Sequence, residues 1–440
     1  MRKLLVTLLF LALLLGGFVL WLRAPLAQTT EAALKAYPAY SLARVRNGQL
    51  ARFAHEGVNG SNRLLHRPDL AGPRDRSVTT PNNDTLYSSA FLDLSAGPVT
   101  LKVPALPDRY HSVAVMDART DNVVIVGTRD GGEGGEISLY FGDEPEADAE
   151  GARRFRIPSP EAWLLVRTLV DGPADLEAAR AAQQGFVLEA LEAGPGGPQA
   201  VAVLPVQPDP ATLLRVVNPI VAQSPALKAP ELAATGYGQG ADAFEKLPVW
   251  RQWLWRLLLP RLFQRIEKGL FHGLRSTGDG WSQTPPGIGT AEASDALRAA
   301  VALAGLGALP AEEAIYWSAA IDRQGREFDG RKRYRLTVPA NVPARAFWSL
   351  SLYERLPDGR LFYVDNPIDR YAVGNRTPGL VRNADGSLTL TIAAVDPGEG
   401  ANWLPAPARG PFTLIFRAYL PEDPILKGEW RLPAVEAVGG

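Results

Sequence analysis

Two blocks of the chain alternate apolar and polar side chains with a period of two, a pattern that suits an extended strand with one face on a core. In the C-terminal block Trp348, Leu350 and Leu352 alternate with Ser349, Ser351 and Tyr353. Leu388, Leu390 and Ile392 alternate with Thr389 and Thr391, and Phe412, Leu414 and Phe416 with Thr413, Ile415 and Arg417. The N-terminal block, between residues 92 and 141, holds the shorter runs VTLKV, SVAVM, NVVIVG and ISLYF, separated by Pro, Gly and Asp. Asp358-Gly359 and Asp385-Gly386 add hairpin signals, and 37 prolines with 42 glycines fit many turns between short strands. A chain of 440 residues exceeds what one core usually serves. The expected fold is mainly β with helical connections (α+β): two β-sandwich or jelly-roll-like domains, at 28–205 and 309–440, joined by a helical region at 206–308.

The helical signals lie outside these blocks. Ala33, Ala36, Tyr37, Tyr40 and Ala43 recur at roughly helical spacing, with Pro38 expected to kink or restart the segment. Further helices are expected at 175–193, from Asp209 as an N-cap, and at 293–306. Between Trp250 and Arg275 lysines and arginines interleave with Trp250, Trp253, Trp255, Phe263 and Phe271. That stretch reads either as an amphipathic helix packed on the β domains or as one lying in an anionic membrane interface. Pro260 should kink it in either case.

At the N-terminus Arg2 and Lys3 precede residues 4–22, which are apolar but for Thr7 and uncharged. A run of about nineteen such residues is long enough to cross a bilayer as a helix. We read residues 1–27 as a transmembrane anchor, with the N-terminus cytoplasmic and the rest in the periplasm. A signal segment cleaved on secretion to the periplasm is the competing reading, although RAPLA is a poor cleavage site.

Composition removes several chemistries. The absence of cysteine excludes thiol catalysis, iron-sulfur clusters and thiolate zinc. Lys and Arg number 46 against 47 Asp and Glu, so net charge gives no reason to expect nucleic acid. His55, His66, His111 and His272 are too scattered for a zinc pattern, and no metal site is expected. Neither a GxSxG elbow nor an SxxK motif is present. The glycine-rich GTRDGGEGG at 127–135 lacks the Gly-Lys-Ser/Thr of a phosphate loop and reads as a connection between strands. No cofactor is indicated.

Residues 79–89, TTPNNDTLYSS, concentrate directional polar groups just before a strand. This motif, with RYHSV and GTR downstream, resembles the bacterial domain-of-unknown-function family 1254. GLGALPAEEAIY, FWSLSLYE, NPIDRYAVG, DGSLTLTI and the run from ANWLPAP to GEW resemble family 1214, its usual partner. The resemblance covers nearly everything from about residue 30 onward. It implies two β-rich domains joined by helical segments, with a jelly-roll-like C-terminal half, and it implies no settled activity.

The positions matching the first family's motifs are His66, Asn82, Asn83, Asp84, Tyr87, Arg109, Tyr110 and Asp117. Those matching the second are Tyr353, Asn366, Arg370, Tyr371, Asn402 and Trp403. Carboxamides and carboxylates can pair with vicinal hydroxyls, aromatic rings can stack on sugar-like faces, and arginine can hold a carboxylate or phosphate bidentately. If these groups converge between the two halves, they suit a small polar ligand: a polyol, a carbohydrate or a phosphorylated derivative. Asp84 and His66 would then be the acid–base pair of a hydrolase. The plainer readings are that Asn82 and Asn83 cap a turn, that Arg370 pairs with Asp365 or Asp369, and that Trp403 is core. In that case the chain is a non-catalytic envelope protein, with room for a homo-oligomer.

Overall fold

The computed structural model describes residues 2–55, 60–76, 79–144, 151–190, 201–270, 275–357 and 359–439. It is an α+β fold with four sheets and one helical layer. In the N-terminal half, strands Leu65–Arg67, Thr85–Asp93, Glu161–Leu169, His111–Met116 and Asn122–Gly127 form a five-stranded antiparallel sheet in that order. A four-stranded sheet faces it, ordered Arg153–Arg156, Gly135–Tyr140, Val99–Val103, Val187–Ala190. Leu92, Val113, Val115, Leu164 and Val166 of the first meet Val99, Leu101, Ile137 and Leu139 of the second in one core. The glycine-rich stretch is the link between Asn122–Gly127 and Gly135–Tyr140.

The C-terminal half repeats the arrangement. A seven-stranded antiparallel sheet centres on Ala314–Ala319, Phe412–Pro421 and Ala344–Arg355. A four-stranded sheet containing Arg333–Val338, Leu388–Ala393 and Asn402–Pro405 covers one face of it. Trp348, Leu350, Leu414 and Phe416 point into this core, as their alternation predicts. Two strand pairs are parallel, Gly135–Tyr140 with Arg153–Arg156 and Leu388–Ala393 with Asn402–Pro405, so neither sandwich is purely antiparallel. Asp358 lies outside the described residues, but the strands on either side of it pair antiparallel.

The helical layer departs from expectation in two places. Arg2–His55 is one helix that runs through Pro25 and Pro38 without ending. A buried proline forfeits one backbone hydrogen bond. Here the segment around it is enclosed by helices Pro210–Gln223, Val249–Leu270 and Asp295–Ala304, which bury Ala32, Ala36, Tyr37 and Tyr40, and packing holds the helix together. Second, the segment expected to be helical at 175–193 is helix only over Leu176–Gln184. Phe186 enters the first sandwich core and Val187–Ala190 pairs with Val99–Lys102 as an edge strand. Residues 191–193 lie outside the described residues. The Asp209 N-cap is as read, its carboxylate accepting from Thr212 N, and Ser294 caps helix Asp295–Ala304, its hydroxyl accepting from Leu297 N.

Among the described residues no helix is long and apolar enough to cross a membrane. The side chains of residues 2–15, most of the expected anchor, lie outside the described ones, so the anchor is taken up below as a proposal.

Candidate functional site: a cleft between the sandwiches

Strand Phe412–Pro421 is buried along its whole length and Ala344–Arg355 along most of it, so the faces opposite the C-terminal core are covered too. What covers them is the first sandwich. Phe347, Tyr419 and Ala314 pack with Tyr110, Ala114 and Leu169 of the N-terminal five-stranded sheet. Polar side chains on these faces find partners across the seam. Asn82 Nδ2 donates to the Tyr419 hydroxyl at 2.9 Å, and the Tyr110 hydroxyl donates to Glu313 Oε1 at 2.7 Å. The hydroxyls of Tyr353 and Tyr363 both donate to Pro81 O at 2.6 Å. Arg417, 4% exposed, donates to Ser351 Oγ and to the Tyr353 hydroxyl, each at 2.8 Å. The TTPNND loop is thus seated in the other domain, and Thr80 adopts a left-handed backbone with φ 53° while its amide donates to Leu361 O.

A half-open cleft of about 470 Å³ lies at the edge of this seam. Its volume falls in the range of small-molecule sites, roughly 300–1,000 Å³. Asn83 and Asp84 contribute from the first half, and Ser349, Arg370, Tyr371 and Thr377 from the second, with Leu70, Val170, Leu176, Phe347 and Ile368 as apolar wall. An ion pair between Arg376 and Asp171 crosses between the halves at 2.5 Å. Asp84 is held by its own loop: its amide donates to Asn82 Oδ1 at 2.7 Å, the turn expected of an Asn after proline. Its Oδ2 accepts from Ser349 Oγ at 2.6 Å. Loss of water raises the Asp84 pKa above the ordinary carboxylate value, and the charge of Arg417 and the Ser349 bond offset only part of that.

A raised carboxyl pKa means that ionising Asp84 costs more in the fold than in the open chain. Its contribution to stability is therefore full below the ordinary value of 3.8 and is lost as pH rises through the higher folded value. Asp84→Asn, which fixes the neutral shape, should raise the unfolding midpoint at neutral pH and gain nothing near pH 3. Urea unfolding of both proteins at the two pH values tests this. Equal midpoints at neutral pH would remove the claim that the acid is strained.

The structure separates the remaining candidates. His66 does not meet Asp84. Its Nδ1 is bonded to Ser88 Oγ at 2.8 Å on the sheet edge, and burial lowers its pKa, so the expected acid–base pair is not assembled. Arg109 is committed to Asp175, through Nη1 at 2.5 Å and Nη2 at 2.7 Å. Asp117 closes a turn by accepting from the amides of Arg119 and Asp121. Tyr87 lies under Arg167, whose guanidinium carbon is 5.4 Å from the ring centre. Asn366 bridges Val364 O, Arg370 N and Arg370 O, and so shapes the loop that presents Arg370. Asn402 ties Val381 to Thr389 O, and Trp403 is core, donating Nε1 to Ala393 O. Arg370 pairs with neither Asp365 nor Asp369 among the described residues; Nη1 donates to Trp403 O at 3.0 Å. Tyr371 donates to Asp369.

Sequence reasoning missed Ser349, Arg417, Tyr419 and Glu313 as site-forming residues. Ser349 and Arg417 were visible as the polar members of alternating strands, which ordinarily face solvent.

Residues 61–190 match a family described as a protein of unknown function (DUF1254), and residues 313–423 match another described in the same words (DUF1214). The chain is similar to the crystal structure of the VPA0106 protein from Vibrio parahaemolyticus. The match covers 94% of this chain and 100% of that one at 21% identity, with a TM-score of 0.65, and shows a shared fold. An uncharacterised protein from Burkholderia cenocepacia aligns over 94% of this chain and 86% of its own at 15% identity, with a TM-score of only 0.40. No curated protein matches the chain.

Proposed function

With a DUF1254 region followed by a DUF1214 region as the premise, we propose that this protein binds a small polar ligand in the cleft between its two sandwiches. One observation carries the reading: residues 83–84 and 370–371, far apart in sequence, line a single cavity of about 470 Å³. Asp84, neutral over a wider pH range than an ordinary carboxyl, can donate to a ligand hydroxyl as well as accept from one. Arg370 supplies a cation on the facing wall, and Leu70, Val170 and Ile368 supply an apolar side. A polyol, a sugar or its phosphate meets this combination. A hydrolase using His66 is not favoured, because His66 is bonded elsewhere.

The test is thermal unfolding of the full chain against a panel of polyols, monosaccharides and their phosphates, repeated with Asp84→Asn and Arg370→Gln. A ligand at a hundred times its dissociation constant stabilises by about 2.7 kcal/mol. The expected result is a midpoint shift for one chemical class that both variants reduce. Shifts that neither variant changes would place the ligand elsewhere, and no shift with any compound would end the proposal.

A second reading has its own support. Arg109, Asp117, Asn402 and Trp403 are spent on bonds within their own halves and Tyr353 on a bond across the seam to Pro81 O, as in a non-catalytic envelope protein whose motifs serve its fold. We further propose that residues 4–22 tether the chain to the inner membrane with its sandwiches in the periplasm. The apolar run supports this, and so does the helix that continues from it directly into the folded body.

A further inference from the structure

The helix Val249–Leu270 has two faces. Trp255, Leu259, Phe263 and Ile266 are buried in the helical layer, whereas at its start Val249, Trp250 and Trp253 are 80%, 38% and 61% exposed. The neighbouring N-terminal helix exposes Leu20 and Trp21, at 62% and 54%, at the same level, where the Trp21 and Trp250 rings sit 5.2 Å apart. A second ring contact between these helices is Tyr37 with Phe263, ring centres 4.9 Å apart. The first helix advances sixteen residues between the two contacts and the second thirteen, about 24 and 20 Å at 1.5 Å per residue. The helices therefore run side by side in the same direction.

That geometry decides between two ways of meeting a bilayer. If the N-terminal helix continues into the membrane, the helix Val249–Leu270 cannot lie flat on its surface; it must meet the surface end-on. From Leu4 to Trp21 the helix rises about 26 Å, close to the roughly 30 Å of a bilayer's hydrocarbon core. This puts Trp21, Trp250 and Trp253 at the headgroup level, where tryptophan is enriched. Arg23 and Arg256 are exposed beside them, and the Arg251 guanidinium lies 4.7 Å from the Trp250 ring centre. Arginine at that depth reaches lipid phosphates. Arg261 and Arg265 lie further from the tryptophans, on the body side.

We propose that Leu20, Trp21, Val249, Trp250 and Trp253 form an end-on seat on the lipid interface, which fixes how the sandwiches stand above the membrane. The reading needs the N-terminal run to stay in the bilayer. The chain has no cysteine, so single replacements can be spin-labelled uniquely in the full-length protein. Trp253→Cys, Arg265→Cys and Val395→Cys would be labelled and reconstituted into vesicles of phosphatidylcholine with phosphatidylglycerol. Collisions with oxygen and with a water-soluble nickel chelate would then be measured. The seat predicts severalfold more oxygen and less nickel contact at 253 than at 265 and 395, which stay water-exposed. Lipid contact at 265 as well would mean a flat helix and overturn it. A 253 label as wet as 395 would overturn it too, and a label shielded from both reagents would assign the patch to a protein partner instead.

Discussion

Arg417→Met is expected to destabilise the fold by about 3–5 kcal/mol, although the new side chain keeps most of the apolar stem. Arg417 is 4% exposed and its two shortest hydrogen bonds go to Ser351 Oγ and the Tyr353 hydroxyl, with a longer one of 3.4 Å to Thr80 O. Bonds to a charged donor contribute about 1.5–3 kcal/mol each, and methionine replaces none of them. The loss does not stop at those bonds. Tyr353 also donates to Pro81 O, so the substitution loosens the loop that carries Asp84. The cation that partly offsets Asp84 desolvation disappears as well, which pushes that carboxyl's pKa further up. The destabilisation should therefore be larger at neutral pH than in acid, where Asp84 is protonated in either protein. Urea unfolding across that range reads both effects. A loss below about 1 kcal/mol would show that the polar seam does not hold the sandwiches together.

The same residue shows where sequence legibility ends. Alternation correctly assigned Trp348, Leu350, Leu414 and Phe416 to a core, because which residues share a strand face is a local property. It also sorted Ser349, Ser351 and Arg417 onto the other face, but a polar face is normally a wet one. Here it is dry, since its partners Asp84 and Thr80 arrive from a different domain, and strand period carries nothing about such partners. The turn chemistry of Asn82 was legible and its bond to Tyr419 was not, for the same reason. The restart expected at Pro38 and the helix expected over 185–190 failed differently. In both, local preference was overridden by packing, by the helices around Tyr37 and by pairing with strand Val99–Val103. Meeting of residues 83–84 with 370–371 was a wager on two motifs converging; the pairing of His66 with Asp84 was the same wager, and it failed.

Arg298→Leu should cost about as much as loss of Arg417, at the junction of the helical layer with the first sandwich. Arg298 sits on helix Asp295–Ala304, is 8% exposed, and holds both oxygens of Asp121 at 2.7 and 3.0 Å. Burial works against its charge, but the bonds and charge of Asp121 outweigh that and hold its pKa above the ordinary arginine value. Beside this pair Asp117 is buried as well, its pKa pushed up to about 6 by loss of water and then by the charge of Asp121. Without Arg298, only Arg119 among the described residues is ion-paired with the two buried carboxylates, and its side chain is 27% exposed. Breaking a buried pair on one side costs about 3–5 kcal/mol, because the charge left behind is uncompensated. Protonation can relieve that charge. An acid with a raised folded pKa has its full contribution below the ordinary 3.8 and loses it as pH rises through about 6. With Arg298 gone the Asp117 pKa rises further, because the two charges interact, so the variant should lose much more stability near pH 8 than near pH 5. Urea midpoints of the two proteins at those pH values decide it. A deficit that is the same at both would mean that Arg298 acts through packing of its stem, and that the carboxylates do not sense its charge.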